Sequence, residues 1–562
     1  MSRRRVNAIL SVMVILSILI VSACSKKENS SEPDTKQTAG QTSDAEASAK
    51  EIDPMGKYDP PIEVTSVRAV DSTFKYLDND SLDNNVWTRA YEEKLGIKVK
   101  NLWAVDSAQY AEKLNISIAS KSIPDVMMVG LKEFQSLVEN NMLEDLSEAY
   151  DKYATPFTKE VLTKDGGIAM DLAKYQGKLY AIPFLSTAIA NSKILYVRTD
   201  WLKKLNLPEP KTMQDVLKVS EAFTTQDPDG NGKKDTFGLA LAQGYVDGAF
   251  GDLLGFFNGY HAYPNKWIKG SDGQLVNGSI QPEMKNALQE LQNMYKKGQI
   301  DPEFAVKPWN KEAELAISGK LGLFYGVVWN PFNPLVDSIK QNPGSEWKAL
   351  PIVSVDNNPA RPIASDPVIG FYVVKKGYEH PEAIVKMGNY YLEKGYGTDP
   401  DPKLFNAPNT DGTSLAVAMY ALVRIIPHDI HLIWYHNILE ALKTNDASKL
   451  NGDEKTLHDE IKKYPEDINS WAYLREYGEG GSMSVIDYYN SHDLILFNEF
   501  NGSTPTMISK SSILSELQTE VFTKIIMGAA PIDEFDKFVD QWKKLGGDEM
   551  TKEVNDWYSS KK

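Results

Sequence analysis

A single cysteine, Cys24, occurs in the 562 residues of the chain, so no intramolecular disulfide and no cysteine-based zinc site can form. Histidine is scarce too, at 7, and only His428, His431 and His436, beside Asp429, lie near one another. Imidazole suits zinc or nickel, but the adjoining Trp434-Tyr435 pair suits a sugar cleft better. Basic charge is not in excess: 61 Lys and Arg face 77 Asp and Glu, for a net charge of −16. Neutralising phosphates requires a basic face, so nucleic acid is not an expected partner. No HExxH, GxSxG, GxxxxGK[ST] or GxGxxG pattern occurs, which leaves metalloprotease, α/β-hydrolase and nucleotide-binding chemistry without support. Repeats of the kind that build solenoids or propellers are absent as well.

The most apolar run, Ala8 to Val21, falls short of the roughly 20 residues that span a bilayer. It follows Arg3-Arg4-Arg5 and ends in the small pair Ser22-Ala23, the three-part layout of a secretory signal peptide over residues 1–23. Val21-Ser22-Ala23-Cys24 resembles the lipobox of bacterial lipoproteins, which implies lipidation of Cys24 and attachment to the outer face of the cytoplasmic membrane through that lipid alone. Ser25 to Asp53 contains no aromatic residue and cannot bury enough apolar surface to order itself. Residues 24–56 therefore read as a disordered tether with a reach on the order of 30 Å.

Beyond Pro60 short apolar stretches alternate with amphipathic ones, the signature of an α/β protein. The strands expected are Ile62–Val70, Ile97–Ala104, Asp125–Val129, Leu179–Pro183, Leu195–Arg198, Phe237–Ala240, Gly322–Val328 and Gly370–Val374. Helices are expected over Asn85–Leu95, Tyr110–Ala119, Met213–Thr224, Gln281–Lys297 and Pro381–Lys394. A chain of this length exceeds what one core supports, so two lobes are expected.

Leu179-Tyr-Ala-Ile-Pro183 followed by Ile194-Leu-Tyr-Val-Arg-Thr-Asp-Trp-Leu-Lys-Lys-Leu205 resembles the lobe crossover of extracellular carbohydrate-binding proteins. Further matches are Asp227 to Gly238, Gly370 to Lys376 leading into His380-Pro-Glu-Ala383, and the tail from Gly546 to Tyr558. Together they resemble the solute-binding lipoproteins of carbohydrate ABC importers in spore-forming bacteria. The resemblance implies a type II periplasmic-binding-protein-like fold, two α/β lobes joined by a hinge around an interlobe cleft. Residues 57–188 and 352–398 would form lobe one, and 189–351 with 399–562, including C-terminal helices, lobe two. It also implies a monomer that binds a sugar or oligosaccharide without catalysis and delivers it to permease subunits. A secreted glycoside hydrolase needs two carboxylates set across the scissile bond, and no acid stands in such a frame. A peptide, metal or amino-acid receptor of the same transport class is the other alternative.

Sugars call for flat rings against their C–H faces and convergent polar groups for their hydroxyls. Trp87, Tyr245, Tyr325, Trp329, Trp434 and Tyr435 are the expected platforms, with Asp366 and Arg424 as polar anchors. An acidic sugar would need cations as well, for which Arg424, Arg361 and Lys266 are the sources at hand. Asp227, Asp229, Asn231, the carbonyl of Lys233 and Asp235 follow the spacing of a calcium loop with Gly232 at its turn. The twelfth position, normally a bidentate Glu, is Gly238. The alternative for this loop is a metal-free turn of Asp, Asn and Gly.

Overall fold

The computed structural model describes residues 52–70, 76, 79–244, 246, 248–405 and 417–560. Cys24, the expected signal peptide and most of the expected tether lie outside the described residues. The strands that position the site are β1 (Ile62–Val70), β2 (Ile97–Asp106), β3 (Val126–Val129), β4 (Ala181–Leu185), β5 (Ile194–Arg198), β6 (Phe237–Leu239), β7 (Leu321–Gly326), β8 (Trp347–Leu350) and β9 (Val368–Val374).

In the first lobe, β1 and β2 pair in parallel, from Ile62 against Ile97 to Val70 against Asp106. β9 lies antiparallel between β3 and β4, with Tyr372 level with Met128 on one side and Ile182 on the other. Thr65 joins the two groups, donating its amide and hydroxyl to Asp125 Oδ2 at 2.9 and 2.6 Å. Tyr378, past the end of β9, donates to the carbonyl of Glu63 at 2.8 Å, which marks one end of the sheet. β1, β3 and β4 accordingly run to the opposite end, where the chain leaves the lobe after Leu185 and β9 brings it back. The helix expected from Asn85 forms because Asn85 caps it, accepting from the amides of Trp87 and Thr88 at 3.0 and 3.2 Å.

The second lobe holds a four-stranded sheet in the order β8-β5-β7-β6. β5 and β7 are buried at every residue, as expected of strands covered on both faces. A Cβ on Gly322 would sit 2.1 Å from the Phe223 ring, so the helix Met213–Thr225 can lie this close to β7 only over a glycine. β8 was not anticipated from the sequence: it is short and only its two end residues are buried.

Two large apolar cores result, with a small cluster of Leu254, Tyr263 and Ile363 beside them. One takes in residues from Val64 to Leu185 and from Phe371 to Ile425, the other residues from Ala188 to Ala364 and from Ile430 to Val554. The chain therefore crosses between them at Ser186-Thr187, between Ala364 and Phe371, and between Ile425 and Ile430. Ile352, Ala360 and Ala364, in the stretch expected in lobe one, pack in the second core; Phe405 and Val417 to Ile425, expected in lobe two, pack in the first. The first two crossings are bonded to each other, since Ser186 donates its amide to the Pro367 carbonyl at 2.9 Å and its hydroxyl to that of Asp366. The second core is completed by the helices Pro505–Ile526, Glu534–Trp542 and Asp548–Ser560. No helix among the described residues is long and apolar enough to cross a membrane.

Candidate ligand-binding site

β7 ends at Gly326, which pairs with Ile194 just past the first crossing, so the turn after β7 lies at the interlobe end of the second sheet. Buried hydrogen bonds hold this turn. Asn330 accepts the Val327 amide through Oδ1 at 2.6 Å, the Tyr196 hydroxyl donates to the Val327 carbonyl at 2.8 Å, and Ser482 donates to the Val328 carbonyl at 2.6 Å. A side chain on Gly326 would meet Asn330 Oδ1 at 2.1 Å. Trp329 is thereby placed, half-buried, on a cavity of about 200 Å³ shared with Asn191, Lys193, Gly248, Ile363 and Ser365. The carboxyl ends of strands are where α/β sheets bind ligands, and here Ser365, where the second crossing begins, forms part of the wall.

Lys193 and Asp252 anchor the same region from below. Their side chains are 5% and 0% exposed and 3.4 Å apart, and Lys193 Nζ also donates to the Gly248 carbonyl at 2.5 Å. Asp252 in turn accepts the amides of Leu254, at 2.5 Å, and Gly248.

Asp366 does not join Trp329. Its neighbour Ser365 lines the Trp329 cavity, whereas Asp366 lines another of about 530 Å³ with Leu131, Leu172, Asn498 and Met507, so the crossing runs between the two. There Asp366 pairs with Lys266 at 3.2 Å. A third cavity, about 1020 Å³, shares Leu172, Asn498, Asn501 and Gly502 with the second and adds Arg361 and Trp557.

Four of the six expected platforms are core residues, which corrects their reading as ring faces for a sugar. Trp87 is 0% exposed, stacked on Tyr391 at 5.0 Å, with its indole N–H given to the Val417 carbonyl at 2.9 Å. Tyr325 is wholly buried edge-on to Phe256. Trp434 and Tyr435 are buried in the second core. In each case burial on all sides leaves no face for a ligand. Tyr245 lies outside the described residues. The histidines also separate: desolvation of the half-buried His431 pushes its pKa down to about 4, and it faces the Tyr477 hydroxyl, while His436 pairs with Asp487.

Lobe one contributes Arg424 and a residue the sequence did not single out, Arg68, near the interlobe end of β1. Arg424 places its guanidinium 4.5 Å from the Phe184 ring centre and donates its amide to the Tyr372 hydroxyl at 3.2 Å. Arg68 donates to the carbonyls of Tyr420 at 3.1 Å and Met419 at 2.9 Å. The one signal available beforehand was a basic residue near the end of a strand that also carries Glu63, Thr65 and Ser66, a pattern too common to select it.

Residues 72–398, more than half of the chain, match the family described as bacterial extracellular solute-binding protein. The chain belongs to that family. Lipoprotein LipO of Bacillus subtilis is 24% identical over 488 residues, covering 85% of this chain and 90% of that one. The polygalacturonan/rhamnogalacturonan-binding protein YtcQ of the same organism is 22% identical over 480 residues, covering 82% and 85%. Among solved structures, alginate-binding protein AlgQ2 without calcium ion superposes with a TM-score of 0.58 at 14% identity, covering 90% of this chain and all of that one. The two-lobed type II fold expected from the sequence is thus the fold observed.

In this solute-binding protein the calcium-like loop lies away from the cleft. β6 runs parallel to β7, so the loop that feeds it enters at the far end of the second sheet. Asp227 accepts the amides of Gly230, Asn231 and Gly232, each at 3.1 Å, and Gly232 takes a left-handed turn at φ 78°. Burial and a hydrogen bond to Asp227 raise the Asp229 pKa. The Asn231 amide donates to Asp229 and Asp235 at 2.6 and 3.0 Å, so a donor lies between carboxylates that a cation would draw together. Asp235 also pairs with Lys320 at 3.1 Å. Among the described residues no three acidic or histidine side chains are gathered as a metal site; the donors present, all oxygen, are those calcium takes.

Proposed function

We propose that this solute-binding protein captures a sugar or oligosaccharide between its lobes outside the cell and passes it, unmodified, to the permease of an ABC importer. Trp329 carries the reading: among the described residues it is the one expected platform that is not fully buried, and it follows the carboxyl end of β7 on a cavity that Ser365 of the second crossing also lines. A hinge motion about those crossings would bring lobe one over it. The two cores are taken as the two lobes, and Cys24 as the lipid-bearing residue. The relatives named for polygalacturonan, rhamnogalacturonan and alginate support a carbohydrate ligand.

The test is a calorimetric panel of oligosaccharides on the mature protein. A cognate sugar should bind without product release, and Trp329→Ala should weaken it by roughly 30-fold, the effect of losing a central aromatic contact worth about 2 kcal/mol. An undiminished affinity in Trp329→Ala, or turnover of the sugar, would overturn the reading.

Calcium would be held by Asp227, Asp229, Asn231, the Lys233 carbonyl and Asp235, where it would cross-link the loop. Chelator-treated protein should gain roughly 2 °C or more in Tm on addition of millimolar calcium, and Asp229→Asn should abolish the gain. An unchanged melting curve would mean that the loop is a metal-free turn.

A further inference from the structure

Arg68 and Arg424, like Arg361 and Arg475, have no acid paired to them among the described residues. Arg89 and Arg198 each close on an aspartate at 2.7 Å. Among the described residues, Arg68 makes hydrogen bonds only to two carbonyls, and the Arg424 side chain makes only its contact with the Phe184 ring. A guanidinium carries five N–H donors, so both retain unused ones. Two side chains and one short segment bring the arginines together. Met419 and Tyr420, which receive Arg68, precede Arg424 on the segment that enters the third crossing, and Tyr372, bonded to the Arg424 amide, lies in register with Met128 and Ile182 on the sheet whose edge β1 adjoins. Both side chains are half-buried, and both stand at the interlobe end of the first sheet. Tyr76, stacked on Tyr420 at 4.9 Å, borders them.

Half-burying two like charges side by side is unfavourable unless an anion completes the site. Burial and the adjacent Arg424 both press the Arg68 pKa down from its ordinary value. The chain as a whole is acidic, at −16, and yet among the described residues no carboxylate is bonded to either guanidinium. An arginine fork matches a planar carboxylate with two parallel hydrogen bonds.

We propose that Arg68 and Arg424 form a carboxylate-binding subsite on the lobe-one side of the cleft, and that the captured carbohydrate is a uronic-acid oligosaccharide. The inference rests on the sugar-binding reading above and narrows its substrate class. Closure of the lobes would bring the ring of one residue against Trp329 while a carboxylate meets the arginine pair.

Calorimetric titration with α-1,4-trigalacturonate and β-1,4-trimannuronate, each beside its fully methyl-esterified form and beside maltotriose, tests it. The ester keeps the shape and removes the charge. At least one acid trimer should bind roughly 30-fold tighter than its ester, with an affinity that falls as salt is added. Arg424→Gln should bring that ratio close to one, and Arg424→Lys, which keeps the charge but not the fork, should retain part of it. Equal binding of acid and ester overturns the subsite, as does an Arg424→Gln variant that weakens both alike, which would mark a purely structural arginine. Tight binding of maltotriose alone refutes the uronate assignment and leaves sugar capture standing. If no carbohydrate in either panel binds, both readings fall.

Discussion

Asp252→Ala should destabilise the protein by about 3–5 kcal/mol, because it strands a cation in the core of the second lobe. Lys193 and Asp252 are buried together, 3.4 Å apart, with side-chain exposures of 5% and 0%. Removing the carboxylate leaves the Lys193 ammonium with the Gly248 carbonyl and no counter-charge. It also frees the amides of Gly248 and Leu254, which Asp252 accepts. The double variant Lys193→Met with Asp252→Ala removes both charges and should recover a large part of the loss, since an uncharged pair pays no desolvation penalty. Urea unfolding of the single and double variants measures the difference. A loss below about 1 kcal/mol in Asp252→Ala would show that water or a rearranged Lys193 relieves the charge.

Two of the three tryptophans expected as platforms, Trp87 and Trp329, should give opposite results. Trp87→Ala should cost about 3–5 kcal/mol, the range for deleting a large buried ring, and should leave the ligand affinity of the folded protein intact. The ring is packed among Tyr391, at 5.0 Å, and Phe405, at 4.6 Å, and its loss also orphans the Val417 carbonyl. Trp329→Ala should cost less stability than Trp87→Ala, because Trp329 is only partly buried against the second core, and should act chiefly on binding. Denaturant midpoints and ligand titrations on both variants separate the two roles; a loss of affinity in folded Trp87→Ala would return that residue to the site.

The contrast shows where a linear reading stops. The helix expected from Asn85 and the strands from Ile62–Val70 to Gly370–Val374 stood out because apolar residues recur at helical or strand spacing. β8 escaped because only its ends are buried. Trp87 and Trp329 each sit near Asn and a strand or helix end, and nothing local separates them. Which one faces a cleft depends on Tyr391, Phe405 and Val417, more than three hundred residues from Trp87. Asp366 shows the same limit on a smaller scale: its neighbour Ser365 lines one cavity and it lines another, a difference set by the direction of a crossing.

What the sequence determined by itself was the class of molecule: alternation of strand and helix patterns gives two α/β lobes, length requires more than one core, and the crossover and tail residues carry the family. Those properties depend on spacing along the chain, which the sequence contains in full. Only the tertiary structure decided which rings are free, that Lys193 is sealed against Asp252, and that Arg68 from the first strand lies near Arg424 from the segment before the last crossing, neither paired with an acid among the described residues. Burial and charge pairing are properties of what surrounds a side chain in space, and those surroundings come from segments that lie far apart until the chain has folded.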